Sequence, residues 1–190
     1  MDEPIGTQHP AHRITAPARA VTALEAAVPG LAEHRRSTPA APDWSMIEAA
    51  LGTPLPADFR LLAELYPTFA VGDFLHLSLP RPGHELAWLS GVDDELAVVR
   101  DRPEEELPTG LRPHPAPGGL LPWASSHSGD VFLWTTAGPG PDSWPVTVAS
   151  RDLVWRNYHG GAVQFVAEWA SGTLEAWALP ELGTGVAVFR

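Results

Sequence analysis

The sequence contains no cysteine and no lysine. The first absence removes disulfides, thiolate metal sites and cysteine nucleophiles, and it fits a reducing compartment. The second has no functional meaning here. All 12 basic residues are Arg, and with abundant Ala and Gly and 21 Pro this reads as the codon bias of a GC-rich genome. Long apolar runs are missing too: no stretch reaches the ~20 apolar residues that cross a bilayer. Residues 1–20 hold two acidic residues, two Arg and three Pro, which suits neither a signal peptide nor an anchor. Positive charge is scarce. A formal charge of −11 repels phosphate backbones and anionic headgroups, so nucleic acid and membranes are not expected partners, while a basic protein would be favoured. The expected compartment is the cytoplasm.

What remains is a chain of 190 residues, 44% hydrophobic with eight Trp, enough for the core of one domain. Residues 18–28 place Val21, Leu24 and Val28 at helical spacing, with Pro17 for a first turn and Gly30 as a stop. The pattern lapses over 32–42, where Pro39 and Pro42 oppose helix. Residues 1–42 are therefore expected to be an extension, one helical arm, docked or loose, and a Pro-rich linker, with an independently folding domain over 43–190. Inside that domain Asp43 caps a helix carrying Trp44, Ile47 and Leu51, which Gly52 ends. A second helix runs from Pro56 to Pro67 with Phe59, Leu62, Leu65 and Tyr66 inward. Residues 74–79 alternate as a strand. Residues 84–102 form a helix whose apolar side is Leu86, Leu89, Leu96 and Val99. Strands follow at 120–124, 130–136, 145–149 and 153–158, then a helix over 161–171 and weaker strands at 175–179 and 185–189. Val131, Phe132, Leu133 and Trp134 are apolar on both faces, which places that strand centrally. Helices first and short strands after is an α+β order.

At this point two blocks become recognisable. The first is Asp43-Trp44, Ile47-Glu48, Leu51-Gly52 and Leu55-Pro56 followed by Asp58-Phe59-Arg60. The second is Gly119-Leu120-Leu121-Pro122-Trp123-Ala124, Gly129-Asp130, Phe132 and Trp134, then Pro141-Asp142, Trp144-Pro145-Val146 and a helix with Phe165 before Gly172. Together, over about residues 43–174, they resemble the SUKH superfamily of yeast cell-wall-synthesis regulators and bacterial toxin-immunity proteins. The resemblance implies a mixed, mostly antiparallel sheet with helices packed against it, no cofactor and no enzyme activity. For many bacterial members it implies direct binding and neutralisation of a toxin, often a nuclease.

Other constellations have plain structural roles open to them. Ser125, His127 and Asp130 are the types of a nucleophile, a base and an orienting acid. Triads, however, come from separated segments, and a polar turn between strands is ordinary hairpin chemistry. None of the eight His has the spacing of a zinc helix, and His9 and His12, three apart, lie in a Pro-flanked tail. Gly118-Gly119 and Gly160-Gly161 lack the phosphate-loop pattern and its Lys. No metal, cofactor or catalytic residue is therefore expected. Trp44, Trp134 and Trp169 read as core, whereas Trp123, Trp144 and Trp155, near strand ends, could line a groove. From Glu85 to Glu106 there are eight carboxylates against Arg100 and Arg102. A charge run is commonly only a solvated face, but it can also steer a basic partner.

The expected binding residues are thus Asp93, Asp94, Glu95, Glu104, Glu105 and Glu106, with Trp123, Trp144 and Trp155 as aromatic anchors. The expected function is immunity-type binding of a basic toxin domain. The alternatives are a non-enzymatic intracellular regulator or scaffold, and a hydrolase using Ser125 and His127.

Overall fold

The structure, a computed structural model, describes residues 6–103, 107–108, 110–152, 154–175, 177 and 179–189. Its helices begin and end where local chemistry dictates. Helix α1 is Pro17–Ala27, α2 Trp44–Leu51, α3 Ala57–Leu65, α4 Glu85–Arg100 and α5 Ala162–Ala170. For α2, the Met46 N–H donates to Asp43 Oδ1 at 3.0 Å, and Gly52 closes the last turn at φ 71, a left-handed conformation that glycine adopts without a Cβ clash. Helix α1 starts on Pro17, whose fixed φ suits a first turn.

The strands are β1 (Gly6–Gln8), β2 (Phe69–Val71), β3 (Leu75–Leu77), β4 (Leu120–Ser126), β5 (Val131–Thr135), β6 (Val146–Ala149), β7 (Trp155–Tyr158) and β8 (Val186–Val188). They form one sheet in the order β1-β7-β6-β5-β4-β3-β2-β8. Every pairing is antiparallel except β1 with β7. The fold is α+β, as expected, and β5 is central. Alternation along β5 feeds two cores. Phe132 and Trp134 join the large cluster with α1, α3 and α5, while Val131 and Leu133 meet Val99 of α4, Leu120, Ala149 and Trp155 on the other face.

Of the two arrangements left open for the N-terminal arm, the structure has the docked one. Ala20, Val21 and Leu24 of α1, then Val28 and Leu31, are buried in the large cluster, and α1 packs on α3 and α5. Gly30 does not stop the chain but sits in a 3₁₀ helix, Pro29–His34, that carries Leu31 inward. The Pro-rich stretch is fastened to α3: Arg36 N–H donates to Leu65 O at 2.8 Å and Ala40 N–H to Glu64 O at 2.7 Å. Further upstream, Ile14 N–H donates to Gln164 Oε1 and Gln164 Nε2 donates to His12 O, both at 2.8 Å. The segment before Asp43 is therefore packed and hydrogen-bonded onto α3 and α5.

Two smaller corrections concern frame and length. The buried side of α4 is Trp88, Val92, Leu96 and Val99, and Leu86 is 69% exposed. The stripe is rotated because Trp88, whose Nε1–H reaches Ser78 O at 3.0 Å, takes the inward position that Leu86 was expected to hold. At 175–179, the described residues Glu175, Trp177 and Leu179 are not in a strand.

Candidate functional site

Each residue of the expected binding surface has a definite place except Glu104, Glu105 and Glu106, which lie outside the described residues. The three Trp are not a groove. Trp123, Trp144 and Trp155 are 3%, 5% and 6% exposed. Trp123 lies 5.8 Å from Phe132 and 6.0 Å from Trp134, and Trp144 lies 6.4 Å from Trp134, measured between ring centroids. Their position near strand ends suggested exposure. Trp123 is mid-strand in β4 and meets Phe165 of α5, Trp144 joins the same large cluster, and Trp155 packs in the smaller cluster with Val99 of α4, so the indoles fill the interior instead. Trp134 and Trp169 are core as expected, while Trp44 is only half-buried, with Nε1–H on Glu64 Oε1 at 3.0 Å and the Arg60 guanidinium 5.1 Å from its ring.

The acidic run is divided by α4. Glu85 turns inward and its Oε1 accepts the Asp43 N–H at 3.0 Å, which ties the start of α4 to the start of α2. That hydrogen bond holds the Glu85 carboxyl below the usual carboxylate range. Glu95 is half-buried and lines a small cavity of about 160 Å³ with His76, Gly91 and Trp123. Burial pushes the His76 imidazole below its ordinary value, with Glu95 opposing and His127 reinforcing that shift. Asp93, Asp94 and Asp101 are exposed, and Arg100, also exposed, pairs with Asp93 at 2.8 Å. At about 100° per residue, Leu86, Asp93, Asp94 and Val98 fall on one outward face about 140° wide. Leu86 and Val98, 69% and 45% exposed, are its apolar positions. This face is acidic with two apolar side chains.

The polar turn after β4 is built as a brace. Ser126 Oγ–H donates to Asp130 Oδ2 at 2.5 Å, Asp130 N–H donates back to Ser126 Oγ at 3.0 Å, and Arg151 N–H donates to Asp130 Oδ1 at 3.0 Å. Asp130 thus engages Ser126 and the β6–β7 turn. Ser125 sits opposite His76 across the β3–β4 pair, and His127 N–H donates to Phe74 O at 2.9 Å. Among the described residues no three His, Asp or Glu cluster closely enough to hold a metal ion.

Sequence reasoning missed a junction at which the two motif blocks meet. Asp142 Oδ1 accepts the Ala57 N–H at 2.7 Å, at the start of α3. Asp58 Oδ2 accepts the Val163 N–H at 3.2 Å, at the start of α5, where Gly161 offers no side chain for capping. A Cβ on Gly161 would stand 2.6 Å from Asp58 Oδ2, so glycine leaves the room that the carboxylate needs. Arg13 closes the junction by donating to His159 O and Asp142 O, both at 2.8 Å. Enclosure pushes the Asp58 carboxyl above its ordinary value, against the opposing pull of the Val163 and Phe59 N–H groups. The residues sit far apart along the chain, and each reads alone as an ordinary helix-start acid. Their role here is to lock helices together. No protein-family model matches this chain, and no curated protein matches it.

Proposed function

We propose that this is a non-enzymatic cytoplasmic protein of SUKH type that binds a basic toxin domain, often a nuclease in such systems, and neutralises it by occlusion. The observation that carries this reading is the outer face of α4. Asp93, Asp94 and Asp101 stand there with Arg100 as counter-charge, beside the exposed Leu86 and Val98. Carboxylates on an open helix face speed the approach of a cationic partner, and apolar side chains that become desolvated between them slow its departure. The helix is well suited to present such a face, because Trp88, Val92, Leu96 and Val99 fix its inner side to the domain. The interlocked motif residues, Asp58 with α5 and Asp142 with α3, supply the rigid scaffold behind it.

The test first asks whether a toxin domain is encoded beside this chain, which immunity requires, and then uses that domain. The wild type should bind it and protect cells that express it. Leu86→Asp combined with Val98→Asp should abolish protection while leaving the melting temperature within a few degrees, since exposed substitutions change stability by only about 0.5 kcal/mol. Undiminished protection by that folded double variant would refute the assignment of the face.

A further inference from the structure

A second surface has the opposite charge. A groove of about 900 Å³ opens between the 3₁₀ helix Pro29–His34, the loop after β3 and the start of α4, and it reaches the end of β8. Its lining includes Arg35, Arg36 and Arg81 with His34 and His84, against one carboxylate, Glu33. Elsewhere arginines stand beside acids: Arg60 with Glu48, Arg100 with Asp93, Arg151 with Asp152. In the groove Arg35 is held by Glu25 at 2.8 Å, but Arg36 and Arg81 make no ion pair among the described residues. The Nε of Arg36 is enclosed without a hydrogen-bond partner. In a chain with 23 acidic residues and 12 arginines, two uncompensated guanidinium groups in one concavity are a specific attraction for carboxylates.

The groove runs into an open sheet edge. β8 pairs with β2 and is the last strand of the sheet. Gly72 N–H donates to Gly185 O at 2.8 Å and Phe189 N–H to Thr68 O at 2.9 Å. Residues 185, 187 and 189 therefore turn their backbone groups toward β2, and antiparallel alternation turns those of Val186 and Val188 outward. Val188 and Phe189 also line the groove, and Phe189 is 50% exposed. We infer that this edge and groove dock an extended acidic segment of a partner protein, which adds as a strand beside β8 and places its carboxylates on Arg36 and Arg81. Backbone pairing supplies the register, the guanidinium groups supply selectivity for acid, and Phe189 offers an apolar contact between them. The inference is independent of the α4 face.

The probe is a blocked peptide of alternating Glu and Val, titrated into the full chain labelled with ¹⁵N. Binding should perturb the Val186 and Val188 amides and weaken as salt rises. Arg36→Ala with Arg81→Ala should weaken it by roughly tenfold or more. Val188→Pro removes an outward N–H at an edge position where proline is tolerated, and it should prevent saturation with both arginines intact. Should that variant lose cooperative folding, the arginine double variant decides alone. The inference is overturned if the double variant binds as well as wild type, if a Lys-Val peptide binds equally, or if the perturbed amides lie elsewhere. It is also overturned if inorganic triphosphate binds the groove and the acidic peptide does not, which would make it a small-anion site.

Discussion

Deleting residues 1–38 should abolish folding. Val21, Leu24, Val28 and Leu31 lie within 1% of complete burial in the main cluster. At about 1.5–3 kcal/mol for each buried aliphatic side chain, they contribute roughly 6–12 kcal/mol. That matches the about 5–15 kcal/mol that holds a whole domain folded. The deletion also uncovers the surfaces of α3 and α5 on which α1 rests, and it leaves Gln164 without the His12 and Ile14 backbone groups. The assay is thermal and urea unfolding followed by circular dichroism, with a ¹H–¹⁵N spectrum of the shortened chain at low temperature. The expected result is a collapsed spectrum and no cooperative transition. Leu24→Ala in the full chain gives a graded version and should cost about 2–5 kcal/mol. A shortened chain that melts in a single sharp transition within a few degrees of the full chain would refute the reasoning and restore the picture of a docked arm.

Three further outcomes follow from the packing and the titrating groups. Trp134→Ala should cost about 3–5 kcal/mol and Trp44→Ala distinctly less, because Trp44 is half-buried; equal shifts in denaturation midpoint would contradict this. Burial raises the Asp58 pKa above its usual 3.8, so the native state holds that proton more tightly than the unfolded chain and loses stability as pH rises between the two values. The stability of Asp58→Asn relative to wild type should therefore climb with pH across that window in urea titrations, and a flat difference would show that the carboxylate is not desolvated. His76 and His159 are both shifted down, chiefly by burial, from the usual 6.5. Their contribution is complete above pH 6.5 and is lost as pH falls toward their native values. His76→Gln with His159→Gln should flatten that decline in a melting series, and an unaltered slope would exclude both.

Where one residue's chemistry decides an element, the sequence sufficed. Asp43 and Gly52 mark the ends of α2, Pro17 starts α1, and the doubly apolar run Val131–Trp134 marks a central strand. It failed where tertiary contact decides. β1 and β2 have three residues each, too few for a period, and exist because β7 and β3 offer partners. In α4 the buried set Trp88, Val92, Leu96 and Val99 lies at i, i+4, i+8 and i+11, a tighter helical stripe than Leu86, Leu89, Leu96 and Val99, so this frame was legible in the sequence and was overlooked. Trp123, Trp144 and Trp155 were misplaced together because their burial depends on tertiary partners, Phe132 and Trp134 for the first two and Val99 for the third, that the local sequence does not show. Of the acidic residues named, Asp93 and Asp94 are exposed on the outer side of α4, whereas Glu95 is half-buried beside His76. The Arg-lined groove was invisible because Arg36, Arg81 and Phe189 come from three distant segments, one of which read as a mere linker.

The most direct test of the proposed function is the association rate between this chain and a toxin domain captured as its partner, measured by stopped flow at low and physiological ionic strength. Asp93→Asn, Asp94→Asn and Asp101→Asn should together slow association by roughly fivefold or more at low salt. The deficit should shrink as the screening length falls to about 8 Å, with dissociation and melting temperature nearly unchanged. Equal association rates at low salt for the wild type and the triple variant would contradict the account, leaving the α4 carboxylates as a solvated face and nothing more.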